Sequence, residues 1–451
     1  MTLSDRAAAH ARPVPSRRRR TTVAARAVAT LLGLALVVAA CGGDATPSAP
    51  TPDPSSPGAS AAPSPAPSGS TDVSGIEALA GEIAEQVATI RELELKEPLD
   101  VEVLDEPALI AFVERQFTEE NPTDYVAAYD RLLTRLGLFP ADADLAETYV
   151  ELLGSQVLGL YDEETDTLYV VAREGGLGAT EKVTLAHEIG HALQDQHFDL
   201  GTVVPEGRDQ GDAVLGALSL VEGDATLAMT LWATTNLTPQ EALELVEDAQ
   251  DPEQAAILER TPPILREGLV FPYEAGLTLA LGLRSEGGWA GVDAAFDRPP
   301  ASTEQVIHPE KYDANEAPVP VDLPSDLAAR MGPGWSLDLE DTFGELQLRI
   351  WLQTAGDREP DDSEGATAEG WGGDRLGYLA GPDGAEAVVM RTVWDDAASA
   401  DRFQEAAARV VADVLPDPGT LFRLSGREVL VIAASDGAVL DAAVAAFDLP
   451  R

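Results

Sequence analysis

At 451 residues the chain is long enough for one large domain or two ordinary ones. Its 78 Asp and Glu against 30 Lys and Arg give a formal charge of −48, a field that repels phosphate and weighs against nucleic acid or an anionic surface as partner. The single cysteine excludes a disulfide framework and a Cys-rich zinc site.

In chain order, Arg17 to Arg20 form a basic patch and Ala27 to Ala40 an apolar run too short to span a bilayer comfortably. Val38-Ala39-Ala40-Cys41-Gly42 closes that run with small residues before the cysteine. Together they resemble a bacterial lipoprotein signal with its lipobox. Residues 1–40 are therefore expected to be a signal peptide and Cys41 the lipidated mature N-terminus. That places the protein on the extracytoplasmic face of the cell membrane, with the anchor as its membrane contact. Residues 41–75, rich in Pro, Ser and Ala, cannot bury apolar surface and read as a disordered linker.

The folded part opens with helical patterns at Ile76–Leu93, Pro107–Phe117, Thr123–Leu136 and Leu145–Gly154, and a short strand at Val101–Leu104. Two β-prone runs, Val157–Tyr161 and Thr167–Val171, flank the polar turn Asp162–Asp166 and predict a hairpin. Its edge could pair with an extended peptide.

Next comes His187-Glu188-Ile189-Gly190-His191. On a helix, residues i and i+4 share a face, so both imidazoles can reach one Zn²⁺ while Glu188 is aimed at a water on the same ion. Thr184, Leu185, Ala186, Ile189, Ala192 and Leu193 surround the motif with small or apolar side chains, which predicts a buried helix beside a cleft.

Gly201–Gly211 reads as loop, and from Ala213 an apolar helical pattern runs through Leu218, Val221 and Leu227 to Trp232. Glu222 and Asp224 interrupt it. Buried carboxylates need partners, and a metal with its histidines would serve. His197 offers a rival third ligand at the metzincin spacing. Gln194, however, replaces the metzincin glycine, and no helix breaker lies between His191 and His197. If the helix continues, His197 points about 120° away from His191.

His187, Glu188 and His191 with Glu222 on a later helix resemble the gluzincin branch of the zincin metallopeptidases. With the lipobox, the chain is similar to bacterial zincin-like lipoproteins. The resemblance implies Zn²⁺ on His187, His191 and Glu222, Glu188 as general base, and a peptide or protein substrate. It departs at one place: gluzincins often carry E-x-x-x-D, whereas Thr226 lies four residues after Glu222, leaving Asp224 or Asp195 as the partner of a ligand histidine.

Further on, His308 and Tyr312 in the segment 302–312 are candidates for the group that stabilises an oxyanion. From about Trp335 the pattern changes to a helix at Phe343–Leu352, an acidic loop at Asp357–Gly370, strands at Arg375–Ala380 and Ala387–Trp394, a helix at Ala398–Val414, strands near Leu421–Leu424 and Glu428–Ala433, and a closing helix. The fold class expected is α+β, a mostly helical zincin-like peptidase domain at 76–334 with a small edge hairpin, and a small α+β module at 335–451. The function expected is an extracytoplasmic, lipid-anchored zinc metallopeptidase. Alternatives are a zincin-fold binding or assembly lipoprotein with a structural metal, and a metal-free surface adhesin.

Overall fold

The computed structural model describes residues 73–155, 157–171, 177–355 and 367–449. Cys41, the signal segment, most of the linker and most of the acidic loop at 357–370 lie outside the described residues.

Helix α1 (Val73–Arg91) takes in the last three residues of the expected linker and leads into strand β1 (Asp100–Leu104). Helices α2 (Glu106–Glu120), α3 (Thr123–Arg135) and α4 (Leu145–Gly154) follow. Local chemistry sets their starts. Asp105 accepts from the Ala108 N–H ahead of Pro107 in the first turn of α2, and Asp144 caps α4 through the Glu147 N–H.

Strands β2 (Gly159–Asp162) and β3 (Thr167–Val171) form the expected antiparallel hairpin, and β1 joins β3 in parallel to give the order β1-β3-β2. Strand β2 is thus an edge. It lies on α5 (Ala179–Phe198), which carries the H-E-x-x-H run and is buried around most of its circumference.

The expected loop after α5 holds a short helix, α6 (Leu200–Val203), before α7 (Gly211–Asn236). Length and apolarity would suit α7 to a membrane, yet 83% of its most apolar window is buried within the fold. It is the core helix of this region, packed between α5 and α10. Helices α8 (Pro239–Asp248), α9 (Pro252–Arg260), α10 (Pro263–Gly287), α11 (Trp289–Phe296), α12 (Thr303–Ile307), α13 (Pro309–Asp313) and α14 (Leu327–Met331) complete it.

Two glycine contacts bring these helices together. A Cβ on Gly190 would stand 3.2 Å from Ala225, and one on Gly223 would stand 2.1 Å from the Gly276 carbonyl oxygen. Without side chains there, α7 can approach α5 on one side and α10 on the other. Glu222 is carried into the gap beside His187.

The C-terminal part contains β4 (Ser336–Asp341), α15 (Gly344–Gln353), β5 (Trp371–Ala380), β6 (Glu386–Trp394), α16 (Ala397–Asp413), β7 (Gly419–Arg423), β8 (Glu428–Ala434) and α17 (Gly437–Ala446). Its sheet is antiparallel in the order β4-β5-β6-β8-β7. Strand β4 was not expected, because its alternation of Leu with acidic residues is that of a half-exposed edge.

Alternation along the central strands buries both faces of this sheet. Val388, Met390, Val429 and Val431 face a core shared with Leu132 of α3, Leu265 of α10 and Trp351 of α15. Val389, Leu430 and Ile432 face α14 and α17. The indole N–H of Trp351 donates to the Leu136 carbonyl at 3.1 Å, and Arg135 pairs with Glu386 at 2.6 Å. The two parts are welded along one apolar core, and the whole is α+β as expected.

Candidate metal centre

Helical periodicity places His187 and His191 on one face of α5 and Glu222 opposite them on α7. His187 Nε2 lies 3.0 Å from His191 Nε2 and 3.1 Å from Glu222 Oε2, with His191 Nε2 3.4 Å from the same oxygen. The three donor atoms all fall within 4.8 Å of one another. This is a buried His187, His191 and Glu222 group that could hold a metal ion, made of the residues expected from the sequence.

Electrostatics holds the group together without an ion. Burial opposes charge on both partners, yet the two imidazoles keep the Glu222 carboxylate below its ordinary range, and Glu222 raises His191 above its own. Two nitrogens and a carboxylate oxygen competing for so small a volume are also the donor set of an open zinc site.

A buried chain of hydrogen bonds sets the orientation of His191. Its Nδ1 lies 3.0 Å from Gln194 Oε1, while the Gln194 amide nitrogen donates to the Val221 carbonyl at 2.8 Å and to Asp224 Oδ2 at 3.0 Å. With both amide protons engaged, the Gln194 oxygen must accept from His191 Nδ1–H. In the neutral imidazole that puts the lone pair on Nε2, the nitrogen that faces His187 and Glu222. Arg91, at the end of α1, donates from Nε to Asp224 Oδ1 at 2.7 Å and from Nη2 to Asp293 at 2.6 Å. Asp224 therefore supports a ligand histidine through Gln194. Asp195 does not: it accepts from the Tyr161 hydroxyl at 3.2 Å and from the Leu200 N–H at 3.0 Å.

Glu188 is buried beside the group, and its Oε2 accepts from the Tyr161 backbone N–H of edge strand β2 at 2.8 Å. The general-base candidate and the strand edge thus meet at one point. A narrow cleft of about 30 Å³, bordered by Tyr161, His191, Leu218 and Glu222, opens there and has room for about one water.

Other candidates fall elsewhere. Helix α5 runs through His197, whose Nε2 bonds the Glu94 carbonyl at 2.8 Å, so the metzincin arrangement does not form. Of the oxyanion candidates, His308 Nε2 bonds Glu345 at 3.0 Å and the Tyr312 hydroxyl donates to the Arg298 carbonyl at 3.0 Å.

Like Gln194 and Arg91, Tyr273 on α10 was missed from the sequence. Its ring centroid is 6.0 Å from that of His187 and its phenol is in hydrogen-bonding reach of Glu222. Burial, and then Glu222, push that phenol well above its ordinary pKa, so it stays protonated as a donor. A sequence signal existed in the Pro272-Tyr273 pair, which sets a proline and a hydroxyl in an otherwise apolar helix.

Residues 335–443 match a domain of unknown function (DUF8575). No curated protein matches the chain. A crystal structure from Chloroflexus aurantiacus, described as that of a candidate hydrolase with a novel fold, is 16% identical over 55% of this chain and 92% of that one, with a TM-score of 0.35.

Proposed function

We propose that the protein is a zinc metallopeptidase, tethered by lipid at Cys41 to the extracytoplasmic face of the cell membrane. The observation that carries the reading is the convergence of His187 Nε2, His191 Nε2 and Glu222 within 4.8 Å, with Glu188 on the same helical turn. Bound by those three residues, Zn²⁺ would acidify a water and polarise a carbonyl.

The chain's own residues do the rest. Glu188 takes a proton from the attacking water as its oxygen adds to the scissile carbonyl carbon. It then returns that proton to the leaving nitrogen as the C–N bond breaks. Gln194 holds His191 in the tautomer that can ligate, and Asp224 and Arg91 hold Gln194. Edge strand β2 offers its backbone to an extended peptide. The buried Tyr273 phenol is a donor next to Glu222.

Zinc analysis of the purified soluble region, paired with digestion of a peptide library, tests the proposal. The parent should hold about one zinc and cleave peptides, and Glu188→Gln should keep the zinc while losing about 10²–10⁴ in rate. A protein that keeps zinc and cleaves nothing would leave the metal a structural role in a binding or assembly protein.

A further inference from the structure

A second cavity borders the same carboxylate. It has a volume of about 270 Å³ and runs between α3, α4, α7 and α10, sharing Glu222 with the narrow cleft and touching Tyr273. Tyr125, Tyr149, Leu215 and Leu269 give it an aromatic and aliphatic wall. Burying a ring against such a wall is strongly favourable, and the volume is near the lower end for pockets that hold small ligands.

One lining group presents an unsatisfied polar atom. Gln347, on α15, lies within the cavity lining and is 9% exposed; its side chain bonds the Tyr129 phenol, while its Oε1 is buried with no hydrogen-bond partner. A buried acceptor left unpaired is unfavourable until something supplies a donor.

Building on the peptidase reading, we infer that this cavity is the specificity pocket for a substrate side chain flanking the scissile bond, and that it selects a large ring with a terminal hydrogen-bond donor, tyrosine ahead of phenylalanine or leucine. The walls bind the ring. Gln347 Oε1 accepts from the hydroxyl.

Gly268 provides the means to test this, because it lines the cavity and a Cβ added there would meet nothing within 4 Å. Gly268→Phe sets a ring at the pocket wall, where its Cβ meets nothing, and Gln347→Leu removes the acceptor at nearly constant volume. With the zinc-loaded protein and a peptide series varied at one position, the parent should prefer Tyr next to the cleaved bond. Gly268→Phe should lower kcat/KM for the Tyr peptide by about 10–100-fold while leaving the Ala peptide unchanged. Gln347→Leu should still accept rings but reduce the Tyr over Phe preference by about tenfold. A parent that prefers small or charged residues, or a folded Gly268→Phe protein with unaltered preferences, overturns the inference while the peptidase reading stands.

If the parent cleaves no peptide, the peptidase reading fails, and the cavity is then judged by binding alone. Calorimetry with N-acetyl-tyrosine amide should show binding to the parent that Gly268→Phe abolishes; equal binding, or none to the parent, overturns the pocket. Should Gly268→Phe fail to fold, the Gln347→Leu comparison decides by itself.

Discussion

Gln194 shows how much of a candidate metal centre can rest on a residue outside the ligand set. Gln194→Leu would remove the acceptor of the His191 Nδ1 proton and leave Asp224 Oδ2 facing an apolar chain. Competition titration should show zinc affinity falling by about 10–100-fold. His197→Ala should change it little, since that imidazole is spent on the Glu94 carbonyl; the reverse order would move the third ligand to His197. The ligands themselves were legible, because two histidines at i and i+4 and a carboxylate in an apolar helix are local patterns. Gln194, Arg91 and Tyr273 were not legible as site residues, because what gives them meaning is a partner on another helix, as Arg91 finds in Asp224 and Asp293. His308 drew attention for its rarity and for the zincin resemblance, and its imidazole is engaged by Glu345.

Among the elements, the α5, α7 and α10 stack is where small residues decide geometry. Gly223→Ala would drive a methyl into the Gly276 carbonyl and should destabilise the fold by about 1–3 kcal/mol, seen as a lower melting temperature with weakened zinc binding. Gly268→Ala, on the same α10, meets no atom and should instead stabilise by about 0.4–1 kcal/mol. Equal effects at the two positions would refute the close-contact argument. Helix and hairpin positions were readable from periodicity and turn chemistry. Strand β4 was not, because an edge with one half-buried face gives a weak alternation, and the pairing that makes it a strand comes from β5.

For the whole molecule, buried carboxylates at the seam between the two parts set a pH dependence. Burial raises Asp341 to about 7 and Asp374 to about 6, both above the ordinary aspartate value of 3.8. A folded-state pKa above the unfolded one means that the folded protein holds protons the unfolded chain would release. This contribution to stability is fully present below about pH 4 and is lost as pH rises through about 6 to 7. The melting temperature should therefore climb between pH 8 and pH 5, and Asp341→Asn, which keeps an acceptor for the Gly211 N–H, should flatten that climb. An unchanged slope would show that Asp341 is not the group responsible. For the anchor, Cys41→Ala should shift the protein from the detergent to the aqueous phase; unchanged partitioning would remove the lipid from the proposal.

The core shared by the two parts runs from Leu109 to Val431 and includes Tyr273 beside the metal group. Its consequence is one of time. His187, His191 and Glu222 have all been synthesised by residue 222, but the layer in which Tyr273 packs closes only when the last strands arrive. Contacts this distant along the chain make folding slow and leave sheet edges open while it proceeds. On the proposed zinc reading, refolding followed by zinc uptake and by tryptophan fluorescence should report a common final phase.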